Sequence, residues 1–140
     1  MDKHELITRA AQLADEFRTS KHCTAGSVAA AVLSTSGQVY TGICFDVQCG
    51  IGFCAEHAAV SEMLKSRESE VQLIVAVNER GEIIAPCGRC RELLWQINPR
   101  NATAGIILGP DRVAPLRELL PQPERVSINK SSASLVYEGR

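Results

Sequence analysis

Apolar residues recur at helical spacing near the start of the chain. Leu6, Ala10, Leu13, Ala14 and Phe17 share one face, so residues 4–18 are predicted as an amphipathic helix. After the polar break Thr19-Ser20-Lys21, the short apolar run from Ser27 to Leu33 reads as a buried strand. Ser36-Gly37 turns the chain, and Gln38 to Phe45 reads as the partner strand of a hairpin. A loop with Gly50 and Gly52 leads to Cys54, and helical spacing returns from Ala55 to Arg67. Val71 to Asn78 is β-branched and almost continuously apolar, the strongest strand signal present. Glu79-Arg80-Gly81 turns it, Ile83 and Ile84 precede Pro86, and residues 87–97 form a further helix that Asn98-Pro99 closes. Ala104 to Leu108 is a short strand, and Pro115 to Leu120 is a short helix with proline in its first turn. Residues 121–140 are polar and read as a final strand or as a tail that orders on a neighbouring subunit.

The predicted order is helix, hairpin, helix, strand, helix, strand, helix. Strands alternating with helices after an antiparallel start imply an α/β fold with a mixed sheet of about five strands. Helices cover both faces, making three α/β/α layers. No repeat, linker or low-complexity segment interrupts the 140 residues, which read as one domain.

Composition narrows the function classes. Apolar residues make up 45% and charged residues 22%, an ordinary globular balance. The 15 basic and 16 acidic residues leave a net charge of −1, which argues against nucleic-acid binding by phosphate neutralisation. No apolar run has the length of a membrane span, and the charged start MDKHELITRAAQLADEF lacks the apolar core of a signal peptide. The expectation is a cytoplasmic chain whose 6 cysteines stay reduced, which suggests metal binding or catalysis.

Three of those cysteines sit in two phrases, Phe53-Cys54-Ala55-Glu56-His57 and Pro86-Cys87-Gly88-Arg89-Cys90, each opening a predicted helix. The spacing of Cys87 and Cys90 lets two thiolates in a first helical turn converge on one tetrahedral ion, and Cys54 is the natural third ligand. Residues i and i+2 of a helix point about 200° apart, so Cys54 and Glu56 converge only if Cys54 stands in the non-helical position before the helix. There the free N–H groups and the helix dipole favour thiolates. Three protein ligands leave a fourth position for water, and Glu56 beside that water could take and return its proton. Two other readings stay open: a structural zinc with His57, Cys49 or Cys44 as fourth ligand, and a redox pair at Cys87 and Cys90.

Cys54-Ala55-Glu56 followed by Pro86-Cys87-Gly88-Arg89-Cys90 resembles the pattern of the zinc-dependent cytidine deaminase superfamily, Cys or His with Ala-Glu and then P-C-x-x-C. Residues 86–94 look like the PCGxCR stretch of small free-nucleoside deaminases, and Arg117 to Pro121 is similar to their E-L-L-P ending. Ser27 to Leu33 followed by Gln38 to Gly42 looks most like blasticidin-S deaminase. The resemblance implies a cytidine-deaminase-like fold with one zinc per chain on Cys54, Cys87 and Cys90 and with Glu56 as proton shuttle. It also implies attack by a zinc-activated water on C4 of a cytosine ring, with the backbone around Ala55 and Pro86 against the ring amine and carbonyl. Ser27 stands where blasticidin-S deaminase has a substrate-adjacent serine. A homotetramer is implied, with pockets that borrow residues from neighbours and a role for the 121–140 tail.

The chain departs from the pattern at the sugar. Where cytidine deaminases carry N-x-E for the ribose hydroxyls, this chain has Cys44-Phe45-Asp46. Asp46 can replace the glutamate, whereas the thiol of Cys44 is no substitute for an amide. His57 replaces an arginine of many tetrameric relatives, leaving Arg89 or Arg91 to offset the thiolates. Cys23-Thr24-Ala25-Gly26 replaces an aromatic phrase, so a less aromatic pocket is expected. Three functions fit: a deaminase of cytidine, deoxycytidine or a nucleoside antibiotic such as blasticidin S; a deaminase of a non-nucleoside aminoheterocycle; and a non-catalytic zinc-stabilised binding module. The expected ligand in the first case is a small aminopyrimidine.

Overall fold

The computed structural model describes residues 1–124, 126–129 and 134–137. Helix α1 (Lys3–Leu13) begins where the Asp2 carboxylate accepts the Glu5 amide at 2.9 Å. Strands β1 (Phe17–Ser20), β2 (Cys23–Ser34) and β3 (Val39–Val47) follow, then α2 (Ala55–Lys65), β4 (Val71–Asn78), β5 (Ile83–Ile84) and α3 (Gly88–Ile97). A 3₁₀ turn at Pro99–Thr103 leads to β6 (Gly105–Gly109), β7 (Arg112–Pro115) and α4 (Leu116–Leu119). Strands β8 (Val126–Asn129) and β9 (Ser134–Tyr137) pair antiparallel with each other within the predicted tail. No helix among the described residues is long and apolar enough to cross a membrane.

The first helix is shorter than its periodicity suggests. It stops at Leu13, and Leu13 and Phe17 are 43% and 52% exposed, so the apolar face does not continue into the core. Phe17 and Arg18 instead pair with Ala25 and Thr24 of β2, because ladder hydrogen bonds outweigh a weak helical preference. Strand β2 starts at Cys23, four residues before the predicted Ser27, since Cys23, Thr24 and Ala25 also pair with Val47, Asp46 and Phe45 of β3. Pro115 ends β7 and caps α4 instead of lying inside that helix.

Among the described residues the main sheet has seven strands and is mixed. Strand β2 lies between β3 and β4, both antiparallel to it, while β4 and β6 run parallel with α3 in the connection between them. Alternate residues of the central strands serve opposite faces. Ala31, Leu33, Val75 and Val77 meet Leu6 and Ala10 of α1 on one side. Ala30, Val32, Ile74 and Ala76 meet Ala59, Val60 and Met63 of α2 and Leu94 of α3 on the other. Burial on both faces is why β2 and β4 read as continuous apolar runs. Gly42 of β3 lets α2 sit close: a Cβ there would stand 2.5 Å from Ala58 Cβ and from the Ala59 backbone nitrogen.

Candidate active site

Backbone pairing fixes the approach to the first cysteine. Phe45 and Phe53 exchange backbone hydrogen bonds of 3.1 and 3.0 Å, and their rings stack with centroids 5.2 Å apart. The chain therefore enters α2 directly from a pinned residue. Cys54 takes the N-cap position with φ −71° and ψ 145°, the extended backbone that convergence with Glu56 requires. Its sulfur caps nothing, so the first N–H groups of α2 stay free of a side-chain cap.

The second helix start is held from behind. Cys87 is the N-cap of α3 at φ −69° and ψ 169°. Arg91 Nε donates to the Pro86 carbonyl at 2.9 Å, and Arg91 Nη1 donates to the Leu119 carbonyl at 3.3 Å. That guanidinium is committed to backbone carbonyls, so of the two arginines Arg89 is the one that lines the cleft.

The two helix starts bring the three predicted metal ligands together. Cys54 Sγ lies 3.8 Å from Cys87 Sγ, and Cys87 Sγ lies 3.5 Å from Cys90 Sγ. Sulfurs at about 2.3 Å from a tetrahedral zinc stand about 3.8 Å apart, so the spacing suits one ion. Soft thiolates also select zinc over hard cations. His57 Nδ1 lies 3.5 Å from Cys90 Sγ, and the ligand atoms of Cys54, His57 and Cys90 all fall within 4.8 Å of one another, a set that could bind one zinc.

Glu56 is only 6% exposed, and its Oε2 accepts from Cys90 Sγ at 2.8 Å. A carboxylate is thus buried against the thiol cluster, where structural packing alone has no use for one. Without metal the thiols differ. Burial pushes the Cys54 thiol up, and burial with the Glu56 carboxylate pushes Cys90 up further. Burial opposes ionisation of Cys87 too, yet the Cys90 amide and the neighbouring thiols outweigh it and hold Cys87 below the usual value. Burial and the Arg89 guanidinium lower His57.

A cleft of about 450 Å³ opens over this cluster. Ser27, Cys44, Asp46, Cys54, Ala55, Glu56 and Cys87 all line it. Cys90 is fully buried behind it, and Pro86 is buried beside Glu56, Ile74 and Ile107, off the cleft wall. Cys44 Sγ receives the Val28 amide at 3.2 Å and contacts Ser27 Oγ at 3.3 Å, so its polar capacity is largely spent within the protein. Sequence reasoning did not assign Phe53, Ile84 or Ala85 to the cleft, although Phe53 directly precedes Cys54. Phe53 also meets the His57 ring edge-on at 5.6 Å, giving the site an aromatic wall.

Known proteins resemble this chain in sequence and fold. The sequence model of the cytidine and deoxycytidylate deaminase zinc-binding region matches residues 1–106. A cytidine deaminase of Mycobacterium tuberculosis is 32% identical over 96 residues, covering 68% of this chain and 70% of the relative. The crystal structure of cytidine deaminase from M. tuberculosis superposes with a TM-score of 0.73 at 28% identity, covering 88% of this chain and 97% of that one. Cytidine deaminase from Burkholderia pseudomallei gives 0.70 at 27% identity, with 88% and 99% covered. With fold, thiol cluster and sequence in agreement, the chain belongs to the zinc-binding family of cytidine and deoxycytidylate deaminases.

Proposed function

We propose that this chain is a hydrolytic deaminase that converts a cytosine-type aminopyrimidine to its uracil-type product and ammonia. The observation that carries the reading is Glu56, buried against three clustered thiols at a cleft large enough for a nucleoside. Cys54, Cys87 and Cys90 would hold the zinc, which would lower the pKa of a water next to the carbon under attack. Glu56 does the proton work: its carboxylate takes the two protons of the incoming water in turn, passing the first to ring N3 and the second, from the new ring hydroxyl, to the amine as its carbon–nitrogen bond breaks. Water supplies the oxygen that replaces nitrogen, so atoms balance with ammonia as the second product. Burial and the Arg89 guanidinium hold His57 below its ordinary value, which favours the uncharged ring. The backbone at Ala55 faces the ring, with Ser27 and Asp46 left for the remainder of the substrate.

Ammonia release from cytidine, deoxycytidine, free cytosine, blasticidin S and unrelated aminoheterocycles tests this, with zinc measured on the same preparation. Turnover of at least one aminopyrimidine at about one zinc per chain supports the reading. A fully zinc-loaded chain that releases no ammonia from any of them contradicts it. One observation favours a second reading: His57 lies close enough to Cys90 to close the site as a fourth ligand. A closed site is structural, and the chain would then be a zinc-stabilised binding module. Under that reading His57→Ala loses zinc; under the deaminase reading the three thiolates retain it.

A further inference from the structure

The thiols of the cluster are not equivalent. Cys87 is exposed on the cleft wall and stands at the N-cap of α3, where its sulfur caps nothing. Cys90, the third residue of that helix, is fully buried behind it. Cys54 is half-buried at the start of α2. A small oxidant entering the cleft therefore meets Cys87 with Cys90 directly at its back.

The first pair is also built to close. Side chains at the N-cap and third positions of a helix share the same space, as in a capping box. Here both are thiols, and their sulfurs lie 3.5 Å apart, nearer than the roughly 3.8 Å between two sulfurs on a tetrahedral zinc. Residues three apart at a helix start fall within the Cα separation that a disulfide spans, so side-chain rotation can close the gap. Cys54 is the poorer partner. Its sulfur is 3.8 Å from Cys87 Sγ, and a bond there would join two helix starts that are pinned separately. The Phe45–Phe53 backbone pair holds one, and Arg91 on the Pro86 carbonyl holds the other.

We propose that Cys87 and Cys90 are a site of reversible oxidation by a peroxide, and that their disulfide and zinc compete for the same sulfurs. The reaction draws on chains whose zinc is off. Cys87 sulfur attacks one oxygen of hydrogen peroxide, the O–O bond breaks, and the other oxygen leaves as water with the thiol proton. The product is a sulfenic acid at Cys87. Cys90 sulfur then attacks Cys87 sulfur, the S–O bond breaks, and the hydroxide departs as water with the Cys90 proton. Two thiols have lost two electrons and two protons, and one peroxide has become two waters. With two of its three thiolates gone, zinc cannot return until a dithiol reductant reopens the bond. The proposal needs the thiol cluster but no turnover, so it goes beyond the deaminase reading and is tested apart from it.

The experiment adds hydrogen peroxide to the zinc-loaded chain and follows released zinc with a chromogenic indicator. Remaining thiols are blocked with iodoacetamide, and the linkage is located by mass spectrometry. Trypsin makes it easy to read, since cutting after Arg89 and Arg91 turns a Cys87–Cys90 bond into a link between two peptides. Zinc is expected to leave in step with that linkage, and dithiothreitol with added zinc is expected to restore the starting state. A zinc-stripped chain should form the bond at least roughly tenfold faster than one kept at a hundredfold excess of zinc over Kd, where few chains have free thiols. The Cys49→Ser variant, which removes an exposed cysteine outside the cluster, should respond as the parent does. Full zinc retention while peroxide consumes thiols overturns the proposal, as does a linkage through Cys54, Cys23 or Cys49. So does a rate indifferent to zinc, or a response that Cys49→Ser abolishes. A chain that forms the disulfide yet releases no ammonia from any aminopyrimidine supports this site and contradicts the deaminase reading alone.

Discussion

Gly42→Ala offers a sharp test of how the fold positions the site. The added Cβ would lie 2.5 Å from Ala58 Cβ, 2.5 Å from Ala59 N and 2.8 Å from the Ala55 carbonyl oxygen. Carbon atoms rest about 3.5–4.0 Å apart, so the overlap is about 1 Å and two of the three neighbours are backbone. No rotamer relieves it; strand β3 and helix α2 must separate. Overpacking of this kind costs about 1–3 kcal/mol, against a gain of about 0.4–1 kcal/mol from stiffening the unfolded chain. A net loss of about 1–2 kcal/mol lowers the melting temperature by roughly 3–8 °C for a chain of this size. The same displacement moves the first turn of α2, which begins at Ala55, so zinc affinity should fall with stability. Gly88→Ala is the control: nothing lies within 4 Å of its Cβ position, at the first residue of α3, and stability there should hold or rise. Thermal melting with zinc titration reads both effects. A Gly42→Ala protein that melts at or above the parent temperature with unaltered zinc affinity refutes the reasoning.

Other outcomes follow from the same structure. Asn101 is 1% exposed, accepts the Val71 amide at 2.8 Å and donates to the Leu94 and Ser69 carbonyls at 2.9 and 3.0 Å. Asn101→Ala strands that amide, and the urea midpoint should report a loss of about 2–3 kcal/mol. Leu94 is fully buried where α3 meets the sheet, so Leu94→Ala should cost about 2–5 kcal/mol by the same assay. Removing metal with a chelator should lower the melting temperature, and zinc added back should restore it, by about 2.7 kcal/mol at a hundredfold excess over Kd. A melting curve indifferent to chelation would count against a zinc that stabilises the fold.

The parts legible in the sequence are those with a local signal. The continuous apolar run Val71–Asn78 and the C-x-x-C spacing of Cys87 and Cys90 needed no tertiary information. The placing of Cys54 ahead of α2 followed from helix geometry, since Glu56 two residues on could not otherwise share its side. Short strands escaped, because β1, β5 and β7 span only four, two and four residues and owe their form to pairing partners. Added to the predicted strands now seen as β2, β3, β4 and β6, they make the seven of the main sheet, while β8 and β9 in the tail pair only with each other. Phe17 shows the limit most plainly: its helical spacing with Leu6 and Leu13 was a coincidence that pairing with Ala25 overrode.

Glu56 is proposed to carry protons beside a thiolate-held zinc. The direct measurement is kcat for ammonia release by Glu56→Gln, with bound zinc determined on the same sample. The expected result is one zinc per chain and a loss of at least about a hundredfold, the usual scale of general acid–base catalysis. Turnover within a few-fold of the parent, at full zinc content, would contradict it.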